Sequence, residues 1–475
     1  MLGTLIKKEI LNSLFSFRFV AIFALLIVVV PLTTFILTND YVKKVDEYSF
    51  RQNNLENYLK NYAHFNRIGG VILPSQPPIP FYSLVRGISS DVNMGEFDDD
   101  PLPVVFPLLD LVFIVSILLS LAALIFSYDA VCCEKEDGTL KLMMSNCLAR
   151  SKIILSKIIG GTIILLVPFL VSLVLGLFII LLNPRVAWTG ANWATLAFVL
   201  LGAVIYIFLF LVIGVFISAS HHSASASIMT SLFVWVLLIL VVPNLSPYLA
   251  SLMSPAPSQI KMNREISRLT DVERDDLGRK LEAERLAELV KRYPVLAGRF
   301  SEAEAKARVE KDPAFREAYQ ARTKEVDAAW IEANRIQNKK RDDLQQEFGR
   351  KVGAQTRLSR GLSMISPLAD FTYLATDLTS TGAMNLRHFG RLREIWDQAF
   401  DAYEQSKIAT LRKKSPAVDW WNTPVDVSDM PRFQYKEEAL AARVKRALWP
   451  FAIMMMMILV VFVAAYFSFV RYDVR

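Results

Sequence analysis

The segment EKEDGTLKLMMSNCLARSKIILSKIIGG, residues 134–161, connects two long apolar runs and is itself rich in charged residues. Burying a charge without a partner costs much free energy, so a charged connector between apolar runs indicates that the chain leaves an apolar environment and enters it again. This connector predicts a membrane protein in which residues 128–159 form a loop in water.

The composition of the whole chain supports this interpretation. The chain has 475 residues, of which 53% are hydrophobic and 21% are charged. It is too apolar for an ordinary soluble protein and too charged for one that lies entirely in a membrane. Charges are dense between about 259 and 446 and almost absent from several long runs. Because the charges are segregated in this way, the net charge of +7 does not indicate a nucleic-acid partner, and we predict none.

Six runs have the roughly 20 apolar residues that a helix needs to cross about 30 Å of hydrocarbon. They lie at residues 19–37, 106–127, 160–182, 193–218, 227–248 and 448–470. Each run predicts a helix, because a single segment in lipid must satisfy its own backbone hydrogen bonds. The sequence therefore predicts an all-α polytopic membrane protein with six transmembrane helices.

Basic residues in the short flanking segments predict the orientation, because such residues are enriched on the cytoplasmic side. Segment 1–18, connector 128–159 and the C-terminus share one side in a six-span arrangement. Their basic residues are Lys7, Lys8, Arg18, Lys135, Lys141, Arg150, Lys152, Lys157, Arg471 and Arg475. Both termini are then cytoplasmic, and segments 38–105 and 249–447 face outward.

Two further segments have helical patterns. In segment 1–18, the apolar residues Leu2, Leu5, Ile6, Ile10 and Leu14 form one stripe, which predicts an interfacial helix. Segment 249–447 is rich in helix-forming residues with apolar positions at helical spacing. It predicts a large extracytoplasmic domain of long amphipathic helices, and we expect some of them to exceed about 25 residues.

Motifs of catalytic, metal-binding or nucleotide-binding sites do not occur in this sequence. It contains no zinc-protease HExxH, no GxSxG elbow and no phosphate-binding GxxxxGK[ST] loop. We therefore assign no catalytic, cofactor or metal residue, and ATP, if it is used, must bind to another chain. Asp110 is the one ionisable residue at appreciable depth in a predicted span; it is either a functional group or a carboxylate that reaches to the interface.

The connector itself has the pattern of a short amphipathic helix. Its apolar residues fall at positions i, i+3, i+4, i+7 and i+8, namely Leu140, Met143, Met144, Cys147 and Leu148. The acidic residues Glu134, Glu136 and Asp137 precede this helix, where the helix dipole favours them. Such a helix either docks a soluble partner or lies flat on lipid, and the pattern alone does not choose between the two.

Residues 126–161, FSYDAVCCEKEDGTLKLMMSNCLARSKIILSKIIGG, resemble the cytoplasmic signature of type-2 ABC exporter permeases, the ABC-2 family. In that signature a spanning helix ends in an acidic pair, which is followed by Gly-Thr-Leu and then by a serine and basic residues before the third span. The matching positions are Asp129, Glu134, Glu136, Gly138, Thr139, Leu140, Ser145, Arg150 and Lys157. Residues 362–382, LSMISPLADFTYLATDLTSTG, resemble the subgroup with a large outer domain before the last span.

The resemblance implies partners as well as a fold. A separate ABC ATPase subunit would bind ATP and Mg²⁺ and would dock on the connector, so the chain itself would be no enzyme. The docking residues it implies are Glu134, Glu136, Gly138, Thr139, Leu140 and Arg150. It also implies a second permease copy or a sister permease, a possible periplasmic partner, and a place in the bacterial plasma membrane, which is the inner membrane of a Gram-negative cell.

The functional prediction is a permease subunit of an ABC transporter that exports or extracts an unidentified substrate. The alternative is a mechanotransmitter of the ABC type, in which ATP use rearranges the outer domain to control a periplasmic partner and nothing crosses the membrane. A membrane-anchored enzyme or receptor is a third and more distant class.

Overall fold

The computed structural model describes residues 2–61, 63–64, 74–87, 109–140, 150–298, 302–414 and 423–470. Across these ranges the chain forms helices and no strand, which confirms the predicted all-α class. Six of the helices are long and apolar enough to cross a membrane, as predicted. They are α2 (Phe17–Asn61), α3 (Leu111–Glu136), α4 (Arg150–Leu182), α5 (Gly190–Ser220), α6 (Ala224–Met253) and α13 (Leu440–Val470).

The other described α-helices of nine or more residues precede the first span or lie between the fifth and sixth spans, and a short 3₁₀ helix, Pro80–Ser83, lies between the first and second spans. The N-terminal helix is α1 (Leu2–Leu14). The later ones are α7 (Gln259–Ser267), α8 (Arg274–Arg292), α9 (Glu302–Lys311), α10 (Pro313–Ser363), α11 (Pro367–Leu378) and α12 (Ala383–Lys414). The helices form two separate units, a membrane unit of residues 1–243 and 364–475 and a hairpin unit of residues 244–363.

Helix α5 is the centre of the membrane unit. It is apolar on all sides and contacts α3, α4, α11 and α13, as expected for a helix with no face in water. Tyr206 in this helix is completely buried, and its ring lies 5.1 Å from the ring of Phe371 in α11. The predicted outer segment 249–447 is thus divided in the structure, because α11 packs against spanning helices α5 and α13.

Two spanning helices contain π-helical segments, Ile114–Leu119 in α3 and Leu237–Val241 in α6. Such segments interrupt the regular backbone hydrogen bonds, so carbonyl groups need other donors. The hydroxyl of Tyr206 donates to the Ser116 carbonyl at 2.7 Å, and the hydroxyl of Ser366 donates to the Leu238 carbonyl. The indole N–H of Trp235 donates to Ser120 Oγ at 2.9 Å and so links α6 to α3.

Helix α2 has 45 residues and continues well beyond the predicted span 19–37. Its last turns pack in a second apolar core formed with α12 and the return segment 425–433. The buried members of that core include Leu59, Ala63, Trp396, Phe400, Ile408, Val425, Val427 and Met430. The Val425 amide donates to the Ala63 carbonyl at 2.8 Å and fixes the return segment to the end of α2. Residues beyond the predicted span therefore form ordered structure through long-range packing.

The hairpin unit is built on α8 and α10. Helix α10 has 51 residues, which corresponds to about 76 Å at 1.5 Å per residue and confirms the expectation that some helices exceed about 25 residues. Trp330 of α10 packs against Gly278 of α8, and its indole N–H donates to Glu282 Oε2 at 3.1 Å. Arg285 forms ion pairs with Glu325, at 3.4 Å, and with Glu332. These contacts hold the two helices side by side.

Candidate coupling site around the connector

A buried ion-pair cluster joins three segments of the membrane unit. Lys157, near the start of α4, has a side chain that is 3% exposed. Its ammonium group lies 3.2 Å from Glu9 Oε1 in α1 and 2.8 Å from Glu134 Oε1 in the connector. We call Glu9, Glu134 and Lys157 the Lys157 cluster. Because a buried charge requires partners, this cluster holds α1, the connector and α4 in one arrangement.

The Lys157 cluster contains one more negative charge than positive charge. Two carboxylates share one ammonium, and Glu134 Oε2 is buried without a hydrogen-bond partner. Removal of the lysine would leave two carboxylates close together without the cation that pairs with both of them, so the arrangement depends strongly on this one side chain.

The N-terminal helix α1 packs against α4 through the same region. The half-buried residues of α1 are Leu2, Leu5, Ile6, Glu9, Ile10 and Ser13, which recur at helical spacing. A Cβ atom at Gly160 would come within 2.9 Å of Glu9 Cβ, so the two helices approach closely there. Much of the stripe predicted to lie on lipid therefore faces protein, although Leu14 is 39% exposed and the adjoining Phe15 and Phe17 are each 84% exposed.

Arg18 joins the start of α2 to the end of α3. Its guanidinium donates to Asp129 Oδ2 at 2.8 Å, to the Tyr128 hydroxyl at 2.9 Å and to the Ile125 carbonyl at 3.2 Å. It also lies over the Tyr128 ring, 5.0 Å from the ring centroid. Asp129 belongs to the segment with family resemblance, and in the structure its partner is this arginine.

The connector is also attached to the turn between α5 and α6. Ser218 Oγ accepts hydrogen bonds from the amides of Val131 and Cys132, at 2.9 and 3.0 Å, and so caps the short helix Cys132–Glu136. The ammonium of Lys135 donates to the carbonyls of Ala219 and His221. These contacts satisfy backbone groups at the end of α5, where helical partners are missing.

The last residue of the short helix and the residues after it are partly exposed to solvent. Glu136 is exposed and its Oε1 accepts from the Ala224 amide at 3.3 Å, where α6 begins. Asp137 and Thr139 are exposed, whereas Leu140 is completely buried. Gly138 adopts φ +70°, a backbone conformation that favours glycine, and turns the chain toward Thr139.

The structure brings some predicted docking residues together and leaves others undescribed. Glu134, Glu136, Gly138, Thr139 and Leu140 form one continuous segment, in which Glu134 already has Lys157 as a partner. Residues 141–149, with the predicted apolar positions Met143, Met144, Cys147 and Leu148, lie outside the described residues. Arg150 is the first residue of α4, and its side chain is likewise not described. The docking role of this segment stays a prediction.

Asp110 lies directly before α3 and caps it. Its Oδ1 accepts from the Phe113 amide at 2.7 Å, and its Oδ2 accepts from the Arg86 amide at 3.2 Å. The described part of the span begins at Leu111, so the carboxylate sits at a helix N-terminus, where an acceptor and a negative charge are both favourable. These contacts give Asp110 a structural role at the start of α3.

The sequence interpretation missed the partners in this site. In the sequence analysis Arg18 is only a flanking charge, Lys157 is a flanking charge and a position of the family signature, and Glu9 and Ser218 have no assigned role. A lysine at the beginning of a long apolar run was a usable signal, because a cation in that position needs an acid nearby. Ser218 gave no such signal, since a serine near a helix end is common.

Comparison with known proteins supports a function in membrane transport. The family described as "ABC-2 family transporter protein" matches residues 4–474, which is nearly the whole chain. No curated protein matches the sequence significantly.

Proposed function

The chain belongs to the ABC-2 transporter family and is a permease subunit of an ABC transporter; on that premise we propose that a separate ABC ATPase drives it through the connector. The observation that carries this proposal is the Lys157 cluster, which ties the connector to α1 and α4 through ion pairs of 2.8 and 3.2 Å. A force applied to the connector would thus reach two other helices directly.

The surface for the ATPase is the exposed part of the connector. Glu136, Asp137 and Thr139 are exposed and belong to the segment that resembles the family signature, whereas Glu134 points inward to Lys157. Exposed acidic residues at such a surface orient a basic partner and speed its association. The two glutamates would therefore have different roles. Glu136 would contact the ATPase, and Glu134 would transmit the movement of the connector to Lys157.

Several fixed contacts would transmit the movement to the spanning helices. Arg18 joins α2 to α3, Ser218 joins α5 to the short helix Cys132–Glu136, and Lys157 joins α4 to the connector. Displacement of the connector would therefore move the cytoplasmic ends of these helices together. ATP and Mg²⁺ would be held by the ATPase, and this chain would act with a second permease copy or a sister permease to export or extract its substrate.

Charge reversal on the exposed connector tests the proposal. We expect Glu136→Lys combined with Asp137→Lys to lower copurification of the cognate ATPase by roughly tenfold, because each exposed charge in such a contact is worth about 0.5–1 kcal/mol. ATP turnover of the purified complex should fall with it. The matched control is Asp342→Lys with Asp343→Lys on α10, both exposed, which makes the same change of charge in the hairpin unit. If the connector variant copurifies the ATPase and turns over ATP as the wild-type protein does, docking at this surface is refuted.

A further inference from the structure

The last part of helix α10, at the base of the hairpin unit, carries a cluster of positive charge. After Glu347, this helix contains Arg350, Lys351, Arg357 and Arg360 and no acidic residue before it ends at Ser363. Lys351 pairs with Glu347 at 2.7 Å, whereas Arg350 and Arg357 are exposed. The last four turns of this long helix are therefore strongly basic, although acidic and basic residues alternate in the rest of it.

Helix α7 adds two more basic residues at the same end of the unit. Glu273 follows α7 in the chain and lies 3.9 Å from Lys340 of α10, whereas Arg285, twelve residues later, pairs with Glu325. The two segments are thus antiparallel. Because α7 precedes Glu273 and contacts α10, we infer that it lies along the part of α10 that follows Lys340. Lys261 and Arg264 in α7 are exposed. Together with Arg350 and Arg357 they form what we call the basal cluster.

An exposed apolar stripe lies beside this cluster in the chain. The last turns of α6 place Leu245, Tyr248, Leu249, Leu252 and Met253 at i, i+3, i+4, i+7 and i+8, with exposures of 37–68%. Ser246 and Ala250, on the other face of the helix, are buried. Ile260, just before Lys261, is 72% exposed. Exposure of such a continuous apolar stripe to water is unfavourable, which indicates that protein or lipid covers it.

The end of α6 extends beyond the predicted fifth span. The helix has 30 residues and is about 45 Å long, whereas the hydrocarbon layer takes about 20 residues. The predicted span 227–248 ends within the stripe, so we expect residues 249–253 at the level of the headgroups, where apolar side chains with basic neighbours are favourable.

We propose that the basal cluster and the α6 stripe form a binding surface for anionic phospholipid headgroups of the bilayer. The stripe would lie among the upper acyl chains, and Lys261, Arg264, Arg350 and Arg357 would contact the phosphates. Charge complementarity supports this occupant, because four exposed cations in the unit that carries the apolar stripe would attract anionic lipid. These contacts would attach the hairpin unit to the membrane surface, and they would not depend on ATPase docking.

The test measures which lipids surround the full-length protein. The protein is reconstituted into vesicles of 30% phosphatidylglycerol in phosphatidylcholine and excised with a copolymer, and the two lipids that accompany it are quantified. We expect phosphatidylglycerol to be enriched severalfold around the wild-type protein. Replacing Lys261, Arg264, Arg350 and Arg357 by glutamine should bring its proportion back to that of the bulk vesicle.

Two controls separate this surface from total charge and from misfolding. Arg279, Lys291, Lys324 and Arg335 are exposed elsewhere in the hairpin unit, and their replacement by glutamine should leave the enrichment intact. For the wild-type protein, about 0.5 M NaCl should abolish the enrichment, because the ion pairs with headgroups are screened. The salt experiment needs no variant, so it remains decisive if the fourfold variant does not fold.

Three results would overturn the proposal. The first is equal lipid composition around the wild type and the basal-cluster variant. The second is enrichment that persists in high salt. The third is complete loss of enrichment on addition of 5 mM inorganic phosphate, which would indicate a site for a free anion in place of a lipid surface.

Discussion

Lys157 links three segments through one side chain. Its side chain is 3% exposed and it is the cation that both Glu9 and Glu134 contact. Neutral side chains of similar length exist, so the contribution of its charge can be separated from its packing. The expected effect is large, because loss of one partner from a buried ion pair leaves charge uncompensated.

We expect Lys157→Met to destabilise the protein by about 3 kcal/mol. The added substitution Glu9→Gln should recover part of this loss, because it removes one of the two carboxylates that repel each other. The measurement is the Tm of the purified protein for the two single variants and the double variant. Lys152→Met is the control, since Lys152 is exposed in the same helix. Strict additivity of the two substitutions would show that Glu9 and Lys157 do not interact.

At the scale of elements, the contact of α1 with α4 depends on the absence of a side chain at position 160. Gly160 leaves room for Glu9, and the approach of the two helices brings Glu9 to Lys157. Glycine in a helix interior is otherwise unfavourable, so its presence there has a packing reason.

We predict that Gly160→Leu displaces α1 and lowers stability by roughly 1–3 kcal/mol, the usual effect of overpacking. The Tm should fall and cognate ATPase turnover should fall with it, because the Lys157 cluster opens. Gly190→Leu is the matched control: a Cβ atom at Gly190 would meet nothing within 4 Å, and its Tm should stay near that of the wild type. Normal stability and turnover of Gly160→Leu would contradict the role assigned to this contact.

At the scale of the whole molecule, the connector and the hairpin unit are predicted to lie on opposite sides of the membrane. The basic residues of the short segments predict that the connector is cytoplasmic and that segment 249–447 faces outward. The structure supplies suitable positions to test this, because Asp137 in the connector is exposed and Ile331 in α10 is 66% exposed.

Cysteine labelling measures this orientation. In a background without Cys132, Cys133 and Cys147, we expect Ile331→Cys to react with a membrane-impermeant maleimide on intact cells. Asp137→Cys should react only after permeabilisation. Gln337, also in α10, is 5% exposed and serves as the buried control, which should react slowly in both conditions when replaced by cysteine. The reverse pattern for positions 331 and 137 would overturn the orientation.

The sequence by itself determined the helical class, the six spanning helices and the family signature of the connector. These features depend on local composition: a run of about 20 apolar residues crosses a bilayer wherever it occurs, and its backbone must be helical there. The expectation that some helices of segment 249–447 exceed about 25 residues also came from local pattern, since the segment is rich in helix formers with apolar positions at helical spacing, and α10 confirms it.

Only the tertiary structure decided which charged residues meet. Glu9 and Lys157 are 148 positions apart in the chain, and Arg18 and Asp129 are 111 apart, so no local pattern connects them. The same holds for Ser218 at the amides of Val131 and Cys132 and for α11 against α5. The physical reason is that a buried charge or an unpaired backbone group requires a partner, but many residues could supply one, and only the packing of the helices selects which of them comes within reach.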